Sequence, residues 1–462
     1  MTKRNVEAYA AAQQPLCVQN DTIPESLFQE YGVNRGLRDA NGVGVLTGLT
    51  NISKIVSFQN VGGKRMPCEG QLWYRGYNIK DLIGGLGPQE FGFEKIAYLL
   101  VFGQMPTPEE LAEFTAVLAD CRTLPTNFTR DVIMKAPSRD IMNSMTRSVL
   151  TLANYDDQVN GGLGNSIRQC IRLISEFPML AVYAYHAYNH YENNDSMYIH
   201  RPDPSLSTAE NILRMLRHDM SYTQLEAKAL DIALILHMEH GGGNNSTFTT
   251  RVVTSSGSDT YSTMAAALSS LKGPRHGGAN IKVIEMIQDI KGHLSDWTDP
   301  EETSHYLRKI LNKETFDHSG LIYGMGHAVY SKSDPRATVL RQFVRELSKE
   351  KGREAECDLY MKVEEIAGRM IAEKRKIYKG VSANVDYYSG FVYDMLNLPE
   401  ELYTPLFAVA RISGWCAHRL EELSQNSKII RPAYLGIAPR HDYVKMSNRH
   451  DSPFPPAYLH HK

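Results

Sequence analysis

The chain has 462 residues, of which 42% are hydrophobic and 22% are charged. This composition is typical of a globular protein with a large core, and a length of 462 residues predicts two or three domains. The formal net charge of −2 gives no electrostatic support for nucleic acid or an anionic membrane as a partner. A local site for a small anion remains compatible with it.

The cysteine pattern and the start of the chain bear on the compartment. Six cysteines are scattered along the sequence without a Cys-x-x-Cys pair, which is typical of reduced thiols in a cytoplasmic protein. Residues 1–16 lack the apolar core of a signal peptide, and no run of about eighteen apolar residues occurs. We therefore expect a cytoplasmic protein that neither spans nor binds a membrane.

The N-terminal part of the sequence changes character near residue 43. Residues 1–40 are polar and have helical spacing. Beyond them, short β-branched runs lie between Gly-rich turns such as Gly62-Gly63, at 45–47, 52–58 and 72–74. Such runs, bounded by glycine, predict β-hairpins.

From about residue 88 onward the hydrophobic pattern is helical. Val283, Ile287 and Ile290 recur at the spacing of one apolar face of an amphipathic helix. The segments 225–240 and 402–423 are apolar on all sides, as in helices at the core of a large protein. The predicted fold class is therefore mainly α, with minor N-terminal β-hairpins.

Two glycine-containing breaks suggest a division into domains. One contains Gly277-Gly278 and the other contains Gly380. Between them, residues 281–385 are predicted to form a small helical domain. The large helical domain would then consist of residues 1–280 and 386–462.

Three stretches place an ionisable residue at a Gly-rich helix boundary. They are centred on His276, on His327 and on Asp386. Each has an ordinary explanation when it is taken alone. A histidine beside a glycine often bonds a terminal carbonyl, and Asp386 fits a helix N-cap.

A fourth stretch ends a buried helix with three glycines, at residues 241–243. His237 and His240 precede them at i, i+3 spacing, which would suggest a metal pair. The zinc-binding helix motif has i, i+4 spacing, however, and no third ligand is apparent. We therefore expect no metal.

In combination the stretches resemble the citrate synthase family. The motifs are Gly-Pro-x-His-Gly-Gly-Ala-Asn, then Gly-x-Gly-His-x-Val-Tyr followed by Asp-Pro-Arg, then Asn-Val-Asp-x-x-Ser-Gly. The resemblance runs from the turn at residues 42–44 to Arg431. It implies a large and a small helical domain with the active site in the cleft. It also implies an acyl-transferring enzyme that condenses acetyl-CoA with oxaloacetate and then hydrolyses the citryl thioester.

The resemblance assigns roles to individual residues. It implies a catalytic set in which Asp386 is the base, His276 binds the thioester oxygen and His327 binds the ketone of oxaloacetate. The residues implied to bind oxaloacetate are His240, Arg336, Arg411 and, from the partner subunit of a homodimer, Arg431. A higher oligomer is compatible with this arrangement.

The CoA site departs from the family pattern. Some relatives have a basic residue one or four positions after the second catalytic histidine, where this chain has Ala328 and Ser331. Lys332 and Lys379 are the candidates for contacts with the CoA phosphates. We expect no permanently bound cofactor, because acetyl-CoA enters as a substrate.

Three alternatives remain open. A 2-methylcitrate synthase would use propionyl-CoA, and one methylene is worth only about 1–3 kcal/mol in an apolar pocket. A catalytically inactive relative that binds CoA or a dicarboxylate is disfavoured, because all three catalytic side chains are present. A metal-dependent hydrolase would lose its activity in a chelator.

Overall fold

The computed structural model describes residues 5–39, 42–326, 329–330, 332–374, 381–425 and 428–449, and all of their side chains except that of Arg65. The chain forms two compact units. One joins the residues up to Leu49 with those from Arg431 onward, and the other spans Thr50–Ile430. The predicted small domain, residues 281–385, stays a prediction.

The first unit contains two helices, α1 (Val6–Asp21) and α2 (Glu25–Glu30). Asn5 caps α1 by accepting a hydrogen bond from the backbone of Ala8. Neither helix has a buried residue. The helical prediction for the start of the chain is thus confirmed where it is described.

The second unit begins with a three-stranded antiparallel sheet, β1 (Ser53–Val61), β2 (Lys64–Tyr74) and β3 (Tyr77–Asn78). The turn between β1 and β2 requires left-handed backbone, with φ of 58° at Gly62 and 78° at Gly63. Glycine adopts this conformation without steric cost, so the predicted hairpin is confirmed. The strand predicted at residues 45–47 is wrong. That short run forms a loop in which Val45 bonds the backbone of Leu37.

Helices make up most of the rest of the second unit. In chain order they are α3 (Ile79–Gly84), α4 (Gly92–Phe102), α5 (Pro108–Asp120), α6 (Ile141–Leu152), α7 (Leu163–Asn193), α8 (Thr208–Leu216), α9 (Gln224–His237), α10 (Asn245–Ser255), α11 (Thr260–Leu271), α12 (Ala279–His293), α13 (Pro300–Leu311), α14 (Pro335–Glu350), α15 (Glu354–Lys374), α16 (Val385–Met395) and α17 (Tyr403–Ser424). None of the helices that the structure describes is long and apolar enough to cross a membrane. The mainly α fold class is confirmed.

Helices α9 and α17 lie at the centre of this unit, as their apolar sequences predict. Gly414 lets α17 approach the end of α9 closely, because a Cβ at this position would lie 2.2 Å from the carbonyl oxygen of Met238. Only glycine tolerates such an approach. The contact brings the middle of α17 against the residues that follow α9, and both segments carry predicted site residues.

Candidate active site

The end of α9 supplies two histidines in different environments. His237 is fully buried and its Nδ1 lies 2.7 Å from the carbonyl oxygen of Ala233. Burial, with smaller effects from nearby charges, lowers the pKa of His237 to about 3, so the ring is neutral. His240 follows in a turn closed by Gly241 at φ 86°. Its ring is 8% exposed and packs edge-on against Tyr330, with centroids 5.5 Å apart.

Arg411 of α17 is completely buried beside this turn. Its Nε donates to the carbonyl oxygen of His237 at 2.6 Å, and its guanidinium carbon lies 4.7 Å from the Phe407 ring centroid. Neither Nη1 nor Nη2 has a hydrogen-bond partner within the described part of the chain. Burial lowers the pKa of Arg411 to about 10, so it stays charged at neutral pH. A buried charged donor pair without a partner suits a ligand carboxylate.

Arg336 is held at the start of α14 by its own N-cap residue. Asp334 accepts from the Arg336 backbone at 3.0 Å. It also receives Nε at 3.0 Å and Nη2 at 2.7 Å from the same guanidinium. Burial opposes the charge of Arg336, but Asp334 raises its pKa above the ordinary value. This pair fixes the direction of a second buried cation.

His276 lies between α11 and α12, and its Nε2 faces the first turn of α10. The backbone N–H of Ser246 donates to Nε2 at 3.3 Å, and the Ser246 hydroxyl lies 3.0 Å from the same atom. A ring nitrogen that accepts from a backbone N–H carries no proton, so the proton of the neutral ring is on Nδ1. Burial and the charge of Arg411 lower the pKa of His276 to about 4. The histidine is therefore a neutral donor.

Asp386 is the second residue of α16. The N-cap is Asn384, which accepts from the backbone of Asp386 at 3.1 Å. The capping explanation for Asp386 is therefore wrong, and its carboxylate is left for another role. Burial raises the pKa of Asp386 to about 6, although Arg336 opposes the shift. A carboxylate with this pKa is a stronger base than an exposed one.

Backbone bonds tie the loop at Gly324 to the segment before α16. Asn384 N–H donates to the Gly324 carbonyl at 2.9 Å, and Gly326 N–H donates to the Ser382 carbonyl at 2.8 Å. His327 lies outside the described residues, and so does Lys379. The residue before His327 is nevertheless bonded to the strand-like segment that leads to Asp386.

Electrostatic influence shows which predicted side chains share one region. Arg336 and Arg411 both lower the pKa of Asp386, and Arg411 also lowers that of His276. The ring of Tyr330 packs on His240, and the charge of Arg336 acts to lower the pKa of Tyr330. The structure thus brings together the following predicted residues: His240, His276, Arg336, Asp386 and Arg411.

Two other predicted residues, Lys332 and Arg431, are exposed and lie outside helices and strands. Arg431 belongs to the first unit. Their roles stay predictions.

Three residues of the site were missed by the sequence analysis. Ser246 orients His276, and Tyr74 donates its hydroxyl to the carbonyl oxygen of Glu239 at 3.0 Å. Glu239 itself is fully buried. Its position between two histidines was the available signal, since an acidic residue is rarely buried without a specific role.

The sequence of this chain is similar to those of known enzymes. The family model "Citrate synthase, C-terminal domain" matches residues 41–433. Citrate synthase of Corynebacterium glutamicum is 35% identical over 372 residues, which cover 79% of each chain. The 2-methylcitrate synthase of Shewanella oneidensis is 32% identical over 381 residues, or 82% of this chain and 92% of that protein.

Solved structures agree with the sequence comparison. Citrate synthase from Pyrobaculum aerophilum superposes with a TM-score of 0.72 at 28% identity, covering 88% of this chain and 94% of that one. The Thermoplasma acidophilum enzyme, solved with carboxymethyl-CoA and oxaloacetate, also gives a TM-score of 0.72 at 28% identity, covering 88% and 97%. Because the family model spans most of the sequence, this chain belongs to the citrate synthase family of acyl-transferring enzymes.

Proposed function

We propose that this enzyme condenses acetyl-CoA with oxaloacetate to form citrate and CoA. The observation that carries the proposal is the pairing of His276, a neutral histidine with its proton on Nδ1, with Asp386, a carboxylate whose pKa is raised to about 6. The methyl protons of an acetyl thioester are very weakly acidic. A carboxylate removes one only if the developing enolate oxygen receives a hydrogen bond, and His276 Nδ1–H would supply it.

The remaining steps follow from this one. Asp386 takes the methyl proton, and the enolic carbon then attacks the ketone carbon of oxaloacetate to form the new C–C bond. The ketone oxygen becomes a hydroxyl on gaining a proton, with His327 as the proposed donor to that oxygen. Water then cleaves the citryl thioester, and the sulfur leaves as the CoA thiol.

The two carboxylates of oxaloacetate need cations, and the site contains two that are buried. Arg411 offers two NH₂ groups that lack partners among the described residues, and Arg336 is fixed by Asp334. Their proximity to Asp386 supports the proposal that the dicarboxylate binds here. His240 would contribute a further hydrogen bond.

We further propose a cytoplasmic homodimer in which Arg431 of the partner subunit completes the oxaloacetate site. Helices α1 and α2 of the first unit bury no residue. Most helices in proteins owe their stability to packing of an apolar face, so this unit is expected to pack against another surface. Lys332 and Lys379 remain the proposed contacts for the CoA phosphates.

A 2-methylcitrate synthase activity is the second candidate. It is favoured by the similar identity of relatives with either activity, 35% for one and 32% for the other. The deciding experiment measures thiol release from acetyl-CoA and from propionyl-CoA with oxaloacetate. We expect the larger kcat/KM with acetyl-CoA. A preference for propionyl-CoA would replace the proposal, and release of no thiol from either would refute both. Retention of activity in a chelator is also expected.

A further inference from the structure

A buried chain of polar groups runs from the turn at His240 to the far side of α17. One oxygen of the fully buried Glu239, Oε1, accepts two hydrogen bonds and lies close to a histidine nitrogen. The Ser53 hydroxyl donates to Oε1 at 2.9 Å and the Gly241 backbone donates at 2.7 Å. Nε2 of His418 lies 3.0 Å away.

The bond to Gly241 has a consequence for His240. It joins the side chain of Glu239 to the backbone on the other side of His240, so that the histidine sits inside a closed loop. The Tyr74 hydroxyl also contacts this turn, because it donates to the carbonyl oxygen of Glu239 at 3.0 Å. The Glu239 carboxylate therefore constrains the backbone of the turn that carries His240.

His418 is itself oriented by Arg251. Nε and Nη2 of Arg251 lie 3.1 and 2.7 Å from Nδ1 of His418. Because arginine has only donors, Nδ1 must accept and carries no proton. The proton of the neutral ring is consequently on Nε2, the atom that faces Glu239.

At the other end of this series of polar groups, two carboxylates of α17 bind Arg251. Arg251 donates through Nη1 to Glu422 at 3.1 Å and through Nη2 to Glu421. Its charge is thus balanced away from the site. Nε2 of the neutral His418 ring is therefore held 3.0 Å from Oε1 of Glu239.

The same carboxylate acts on Arg411. Its negative charge favours the charged form of Arg411, which burial alone would disfavour. The guanidinium is otherwise attached to protein through Nε, which bonds the His237 carbonyl two residues before Glu239. The turn that holds His240 therefore holds Arg411 as well.

We propose that Glu239 and His418 are positioning residues for the dicarboxylate subsite, with His418, oriented by Arg251, fixing the carboxylate that aims His240 and Arg411. The inference rests on the proposed function, because it concerns the binding of oxaloacetate. Neither residue contacts the reacting atoms in this arrangement. Both act through the residues that do.

Substitutions of His418 give the main test. His418→Phe keeps a ring but removes both nitrogens, whereas His418→Gln keeps an amide N–H that can reach Glu239. Calorimetry should show the oxaloacetate Kd about tenfold or more higher in His418→Phe, because the buried Glu239 charge loses a polar neighbour. The Kd in His418→Gln should remain within about threefold of wild type, and the KM for acetyl-CoA at saturating oxaloacetate should change little in either.

A second pair of variants guards against misfolding of His418→Phe. Glu239→Gln can keep an oxygen at the Oε1 position but loses the negative charge, whereas Glu239→Met loses both the charge and the acceptor. Glu239→Met should bind oxaloacetate about tenfold more weakly than wild type or worse, and Glu239→Gln should bind it more tightly than Glu239→Met does. His186→Phe is the matched control. His186 is 3% exposed and bonds a carbonyl, that of Met215, so the control loses a buried histidine without touching the chain of groups at Glu239.

Hydrogen exchange provides a readout that needs no substrate. The Gly241 amide should be protected in wild type and His418→Gln and should exchange faster in His418→Phe. Wild-type protein that binds no oxaloacetate would refute the proposed function, while the exchange data would still decide the positioning role. Unchanged affinity and unchanged Gly241 protection in folded His418→Phe would overturn the inference. So would an equal loss of affinity in His186→Phe.

Discussion

The backbone N–H of Ser246 donates to Nε2 of His276 at 3.3 Å and so assigns the proton of the imidazole to Nδ1. The Ser246 hydroxyl is held in turn by Nε1 of Trp415 at 3.1 Å. The donor proposed for the enolate oxygen is thus oriented by the first turn of a helix rather than by a charged side chain. Because Nε2 of His276 accepts this hydrogen bond, the ring is neutral and its Nδ1–H is the donor that the His276 variant tests.

His276→Ala should abolish the exchange of acetyl-CoA methyl protons with solvent, with turnover lower by about 10²–10³-fold, because the enolate loses its donor. Ser246→Ala removes only the hydroxyl and keeps the backbone N–H that selects the tautomer. Its turnover should therefore fall by less than about tenfold. Proton NMR in D₂O measures the methyl exchange, and a thiol-release assay measures the turnover of the two variants. Rapid exchange in His276→Ala would show that another group stabilises the enolate.

Asp386→Asn should reduce kcat by about 10²–10⁴-fold while leaving the oxaloacetate Kd nearly unchanged, because the amide keeps the shape but accepts no proton. In wild type the base works only when ionised. Since its pKa is about 6, kcat should be constant above that pH and fall about tenfold per unit below it. A profile without this inflection would argue against Asp386 as the base.

The raised pKa of Asp386 also predicts an effect on stability. The folded-state pKa of about 6 exceeds the ordinary carboxyl value of 3.8, so folding favours the protonated form. Below the unfolded pKa the group has no effect on stability. Its destabilisation grows as pH rises from 3.8 to about 6 and is then constant. Asp386→Asn should therefore raise the Tm at pH 7 but not at pH 4, and calorimetry at the two pH values checks the difference.

Arg411→Lys should weaken oxaloacetate binding by about 10-fold or more even though the charge is kept, because lysine lacks the paired NH₂ groups and the Nε bond to His237. Arg130→Lys is the matched control, since Arg130 is exposed and bonds its neighbour Asp131. Isothermal calorimetry with oxaloacetate compares the two. Equal affinity in both variants would remove Arg411 from the dicarboxylate site.

Mixed dimers test the proposed role of Arg431. Arg431→Ala and Asp386→Ala chains should each be inactive, but a heterodimer would contain one intact site. With equal mixing about half the dimers are mixed and half of their sites are intact. Refolding together should therefore restore about a quarter of wild-type activity if a correctly assembled site regains its positioning. Inactivity of heterodimers verified by mass spectrometry would show that Arg431 does not act across subunits.

Much of the fold was predictable because its signals are local. The central helices α9 and α17 are apolar on all sides, and the turn at Gly62-Gly63 needs backbone that glycine supplies. The run at 45–47 has the right residue types for a strand, but residue type alone does not provide a pairing partner. The correct pairing depends on the whole hairpin.

In the candidate site, the residues within short motifs were predictable from the sequence, but the contacts between distant segments were not. The motifs around His276 and Asp386 carry their own glycine and capping residues, so their positions in loops and helix ends follow from sequence. The link from His418 to Glu239 does not, because the two residues are distant in the chain and nothing near either one indicates the other as its partner. Such partnerships depend on packing of α17 against α9, which no short motif encodes.

The backbone bonds between the Gly324 loop and the segment before α16 also limit how the enzyme can evolve. Gly324 adopts φ 76°, and a Cβ there would lie 2.8 Å from Tyr387. A change in the length of the Gly324 loop therefore has to be matched by a change in the segment before α16, and the reverse is also true. Insertions that tune substrate choice are expected to accumulate elsewhere in the chain, while the lengths of these two segments stay locked to each other across lineages.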